Sequence, residues 1–160
     1  MAVVSFGNTA MVESALSGDL GKTVAAIDAL SLGTTSEQTD IGDGLYTAES
    51  QLAGATDGNK KIIIMLTDGV PNEPVQKGDN NYPAVYAQSV AANLEASGTS
   101  LYTIGLGKDV DAGFLQSLVP DNSHYFFAPT KADLSSIYNE ISSALCVKKP
   151  SVVIVLYRIL

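Results

Sequence analysis

Residues 62–66, Ile-Ile-Ile-Met-Leu, are aliphatic at five consecutive positions, between Lys60-Lys61 and Thr67-Asp68-Gly69. A strand with one wet face alternates apolar and polar side chains. A strand aliphatic at every position is buried on both faces, as in a parallel sheet covered by helices above and below. The rest of the chain agrees. Strand-like and helix-like segments alternate from residue 61 to 145, which favours right-handed βαβ units. The spacing predicts strands at 2–6 (AVVSF), 100–107 (SLYTIGLG) and 124–128 (HYFFA), with a short edge strand in MVESALSG, 11–18. Helices are expected from Asp19 (stripe Leu20, Val24, Ile27), near Thr39 (stripe Ile41, Leu45, Ala48, Leu52), from Pro83 to Gly98, around Phe114–Leu118, and over Leu134–Leu145. The expected architecture is α/β: a doubly wound, mostly parallel sheet with helices on both faces.

Composition excludes several classes of function. With nine basic and seventeen acidic side chains, the 160-residue chain carries a formal charge of −8. No Lys/Arg cluster offsets it, so no nucleic-acid partner is expected. The longest aliphatic run, at the C-terminus, is about half the roughly 20 residues that span a bilayer. Met1 leads directly into a strand, so no signal peptide is expected here. The lone Cys146 reads as a structural thiol.

Ligands of an open parallel sheet bind beyond the carboxyl ends of its strands. Asp68 and Asn8 stand at such ends, and the helix beginning near Thr39 must start at the same edge. Thr39 and Asp68 are therefore expected to converge. Together they offer a hydroxyl and a carboxylate, hard oxygen donors suited to Mg²⁺ or Ca²⁺. Two plainer roles compete: Thr39, or Asp40 beside it, as a helix N-cap, and Asp68 as the side chain of an Asx-turn before Gly69. Enzyme motifs fail. GDLGKT lacks the first phosphate-loop Gly, because position 16 is Leu16, and GLGKDV ends in Val110 where a dinucleotide fingerprint needs Gly. His124 reads as a strand-end side chain, and Asp109 with Asp111 as caps of a short helix.

AVVSFGNTA, TDIGDGL, KKIIIMLTDGVPNE and LYTIGLG occur in the order and spacing of von Willebrand factor type A domains, and the resemblance covers nearly all of residues 1–146. It implies a Rossmann-like sheet with a metal-ion-dependent adhesion site at its carboxyl edge. That site is built from an Asp-x-Ser-x-Ser loop after the first strand, a Thr and a further Asp; the last two carry over to Thr39 and Asp68. The resemblance also implies Mg²⁺ or another divalent cation, a protein partner whose acidic side chain completes the metal's shell, and no catalysis. Members of the family are often extracellular or surface-attached, though some are intracellular. Asp-x-Ser-x-Ser is absent from these 160 residues. The metal site is thus expected to be incomplete, and cation binding weak or absent.

The family's first strand is also missing ahead of residue 1, so residues 1–146 read as an N-terminally truncated domain. Its central slot would lie between the strands at 2–6 and 61–66. Residues 147–160 read as a tail in which 152–156 (Val-Val-Ile-Val-Leu) fill that slot, as in a circular permutation. Tyr157 and Ile159 then fall where the Asp and the first Ser of the metal loop would stand. Alternatively, the tail begins a further domain or pairs with another chain. The expected function is a protein-binding, adhesion-type module contacting its partner through loops 7–10, 33–40 and 68–82. The alternatives are a partial or rearranged gene product without activity, and a nucleotide- or phosphate-dependent α/β enzyme.

Overall fold

The computed structural model describes residues 1–30, 38–55, 58–108, 110–145 and 150–157. Cys146, Asp109, Ile159 and the 33–37 part of the expected contact loop lie outside the described residues. Six strands form one sheet: β1 (Ala2–Phe6), β2 (Ala10–Ser14), β3 (Lys61–Thr67), β4 (Thr99–Leu106), β5 (Tyr125–Ala128) and β6 (Ser151–Tyr157), in the order β2-β1-β6-β3-β4-β5. Among the described strands β2 alone runs antiparallel, as an edge strand beside β1.

The last strand occupies the centre. β6 pairs in parallel with β1, from Ala2 opposite Val153 to Phe6 opposite Tyr157. On its other side it pairs with β3, from Lys61 opposite Ser151 to Leu66 opposite Leu156. The Ser151 N–H starts this register by donating to the Lys60 carbonyl at 2.8 Å. Val153 and Val155 are wholly buried on one face, while Val152 and Ile154 are buried on the other. The unbroken aliphatic run is thus explained by a two-faced interior.

Helices α2 (Ile41–Leu52) and α3 (Tyr82–Ala96) cover one face, where Ile41, Leu45, Ala48, Leu52, Ala87 and Leu94 pack on alternate residues of β1, β6 and β3. Helix α4 (Ala112–Ser117) contributes Leu115 to the same layer. The opposite face holds Ile62, Ile64, Leu66, Val152 and Ile154 against Ile137 and Ile141 of α5 (Lys131–Leu145). Pro83 lies in the first turn of α3, where its missing N–H costs no helical bond. Gly98 follows that helix at φ +76°, the left-handed conformation that ends it.

One expected apolar stripe is not buried. Helix α1 (Leu20–Ala29) forms as expected, but Leu20 is 58% and Val24 56% exposed. Its inward side is Thr23, whose Oγ1 has no partner among the described residues. Among the described residues this helix packs chiefly against the edge pair β1 and β2, which is too narrow to cover a full apolar face. His124 also differs from expectation. It ends a single 3₁₀ turn (Asn122–His124) just before β5, with its ring centroid 4.6 Å from that of Tyr102.

Among the described residues no helix is long and apolar enough to cross a membrane. Tyr138, half-buried on α5, has its phenol pushed up to about 12 from 10.0 by burial. Its folded pKa exceeds the unfolded one, so the folded state holds the proton more tightly. Stability is therefore full below pH 10 and falls as pH rises toward 12. Chemical denaturation of Tyr138→Phe across this window will show a shallower alkaline loss than the parent. Equal slopes would remove Tyr138 as a cause.

Candidate functional site at the carboxyl edge

Three loops meet where the parallel strands end. The chain leaves β1 at Gly7, whose carbonyl accepts from the Asp40 N–H at 2.8 Å. Asp40 caps α2 by accepting the Asp43 N–H at 2.8 Å, and Asp43 Oδ2 accepts the Ala10 N–H at 2.6 Å. The first turn of α2 is thereby tied to the β1–β2 turn. The loop after β3 is tied to the same place through Thr39. The Thr39 N–H donates to Asn72 Oδ1 at 2.7 Å, and the Thr39 carbonyl accepts the N–H groups of Asn72 and Glu73 at 3.1 and 3.4 Å. Thr39 Oγ1 stands 3.7 Å from where a Cβ on Gly69 would be. The structure thus brings Thr39, which is 3% exposed, against the residue that follows Asp68.

Both plainer roles are taken by neighbours. Asp40, not Thr39, supplies the cap of α2. Thr67, not Asp68, makes the turn: the Gly69 N–H donates to Thr67 Oγ1 at 3.2 Å. The two side chains singled out from sequence are spared those local duties. Burial pushes the Asp40 carboxyl above its ordinary value; the Asp43 N–H opposes this, and the charges of Asp43 and Glu73 add to it. Asp40, Asp43, Asp68 and Glu73 thus bring four carboxyl side chains to the loops and helix start at this edge.

β6 also ends here, with Tyr157 opposite Phe6 and Leu156 opposite Leu66. Among the described residues no three His, Cys, Asp or Glu side chains stand together as a metal-holding group.

The other motifs find ordinary roles. Asp111 caps α4 by accepting the Phe114 N–H at 2.9 Å. His124 lies at the opposite, amino edge, where its Nδ1 is 3.2 Å from Asp121 Oδ1. The Ser123 hydroxyl, then His124, then the Ser123 N–H hold the Asp121 carboxyl down at about 2. Gly21 and Lys22 of the failed phosphate loop sit inside the first turn of α1. Sequence reasoning missed Asn72, which anchors Thr39, and the stacked pair Tyr82 and Tyr86, with the exposed Tyr46 on the neighbouring helix α2. The i, i+4 spacing of Tyr82 and Tyr86 was the available signal for that pair.

Comparison with known proteins decides the family. The von Willebrand factor type A domain pattern matches residues 1–140. The chain belongs to this family. It is 27% identical to human matrilin-3 over 161 residues, covering 95% of this chain and 30% of that protein, and 25% identical to human matrilin-1, covering 92% and 29%. The chain therefore spans about a third of the length of the curated relatives it matches. Among solved structures it resembles proximal thread matrix protein 1 from the mussel byssus, with a TM-score of 0.73 at 24% identity, covering 94% of this chain and 36% of that one. That protein is also known with a zinc-occupied MIDAS motif. The pilus adhesin SpaC from Lactobacillus rhamnosus GG matches with a TM-score of 0.71 at 18% identity, covering 90% of this chain and 24% of that one. The sheet described here is the type A fold.

Proposed function

We propose that this domain is a non-catalytic, adhesion-type protein-binding module that uses the carboxyl edge, with an incomplete metal-ion-dependent site. The observation that carries the reading is the convergence of Thr39 and the loop following Asp68, with capping and turn formation taken over by Asp40 and Thr67. The adhesin and the metal-bearing byssal protein among its structural relatives are in keeping with it.

The donor set falls short of what a hard divalent cation needs. Thr39 offers one hydroxyl and Asp68 one carboxylate, while on this reading Tyr157, at the end of β6 opposite Phe6, takes the place of the Asp that begins the family's metal loop. Mg²⁺ demands near-octahedral oxygen coordination and gives up its waters reluctantly, so two side chains leave it close to its hydrated state. If a metal is held, Thr39 and Asp68 hold it, and an acidic side chain of the partner supplies a further oxygen.

Calorimetric titration with Mg²⁺ tests this. The expected affinity is about millimolar or weaker, in the range of sites with few charged ligands. Tyr157→Asp adds a carboxylate at the end of the central strand and is expected to tighten binding by about tenfold, because charge count tunes such sites. Micromolar affinity in the parent, or no response to Tyr157→Asp, would overturn the assignment of the site. Addition of ATP or GTP is expected to leave the melting temperature unchanged. A nucleotide-induced rise would favour an α/β enzyme instead.

A further inference from the structure

Next to the proposed metal donors the carboxyl edge carries an aromatic patch that they leave unused. Tyr46 projects from α2 and is 57% exposed. Tyr82 and Tyr86, both half-buried, stack at the start of α3 with centroids 6.2 Å apart and planes 7° from parallel. Burial raises the Tyr86 pKa, and the charges of Asp40 and Asp43, with Tyr82 and Tyr46, add to the effect. Asp40, Asp43, Tyr46 and Tyr82 thus each stand within electrostatic reach of Tyr86, whose ring lies against Gly42 in the first turn of α2. Glu73 joins them through Asp40. Among the described residues, none of Asp40, Asp43, Asp68 and Glu73 is paired with a Lys or Arg; the ion pair found there is His124–Asp121 at the far edge. Lys77 lies in the turn closed by the Gln76–Asp79 bridge. The chain as a whole carries −8.

Resting on the protein-binding reading above, we propose that this patch docks a basic, extended segment of a partner protein. Its Arg or Lys side chains would lie across the rings of Tyr46, Tyr82 and Tyr86 and between the carboxylates. A guanidinium stacks on an aromatic face and donates to carboxylates at its rim, so rings and acids in one place suit the same side chain. Tyrosine also offers wide contact area at low entropic cost. Where no tightly held cation neutralises the edge, charge complementarity favours a basic partner over an acidic one.

The probes are two fluorescein-labelled peptides, one alternating Gly and Arg and the other alternating Gly and Glu. Binding is read by anisotropy in EDTA at low and moderate salt. The Arg peptide is expected to bind and to weaken with salt. Tyr46→Ala with Tyr82→Ala, which leaves the net charge unchanged, is expected to weaken it by about tenfold, the scale of lost aromatic anchors. Tyr46→Ala alone, at the most exposed ring, must weaken it in the same direction while the thermal melt stays intact. Glu95→Gln with Glu140→Gln, on exposed surfaces away from the patch, must leave it unchanged. Equal weakening by that control pair would mean net charge alone attracts the peptide, and the proposal falls. With Mg²⁺ in place of EDTA, binding of the Glu peptide that Asp68→Asn weakens would sink the basic-partner inference while leaving the carboxyl-edge reading intact. Failure of both peptides would remove the docking patch, and the Mg²⁺ titration would still judge the metal-site reading on its own.

Discussion

Val153→Asp will abolish cooperative unfolding of the entire domain. Val153 is wholly buried at the middle of the sheet, opposite Ala2 of β1 and Ile63 of β3, and it faces the layer packed by α2 and α3. An ionised carboxylate there would have neither water nor a cation. Burying even a neutral polar group without a partner costs a few kcal/mol, and a charge costs more. Domains of this size are stable by only about 5–15 kcal/mol in total. Circular dichroism of Val153→Asp should therefore show a chain that is unfolded or melts without cooperativity. Ser151→Asp is the control: it sits half-buried at the first position of the same strand, opposite Lys61, and should shift the melt little. A parent-like melt for Val153→Asp would place 151–157 outside the sheet, as expected of a segment belonging to a further domain.

This central placement was legible in the sequence for a physical reason. Two runs, 62–66 and 152–156, are aliphatic on both faces, and a doubly wound sheet has few slots for such strands. The gap between β1 and β3 and the exit of α5 at the opposite edge left one slot that a right-handed connection could reach. The meeting of Thr39 with the loop that follows Asp68 was legible through the same topology, because it sends both segments to one edge. Less visible was how the edge is assembled. Thr39 and Asp40 are chemically equivalent as caps until Asp40 is seen bonded to both Gly7 and Asp43, a contact between distant segments. The α1 stripe misled because periodicity reports what a helix could bury, not how wide a surface it meets. Leu20 and Val24 have correct spacing and nothing broad enough to pack on.

The meeting of the Tyr82–Tyr86 pair with α2 was hidden for a different reason, since the two lie on separate helices and the Tyr86 ring fits where Gly42 has no Cβ.

Gly42→Ala is accordingly expected to destabilise the domain by about 1–3 kcal/mol, the usual cost of overpacking. At an ordinary position inside a helix the same change is favourable by up to about 1 kcal/mol. Here a Cβ would lie 2.2 and 2.4 Å from Cδ1 and Cε1 of Tyr86, so ring or helix must move. The ring has little freedom, because it is stacked on Tyr82 and packs against the core formed by α2 and α3. A double-mutant cycle read by chemical denaturation separates this cause from others. In a Tyr86→Ala background the Gly42→Ala penalty should vanish or turn into a small gain. If the penalty persists there, the contact with Tyr86 is not its source. The cycle also bears on function: Gly42 belongs to the turn that carries Thr39 and Asp40. Pushing Tyr86 away should loosen the aromatic patch and weaken the Arg-peptide affinity, while leaving the Thr39–Asn72 tether in place.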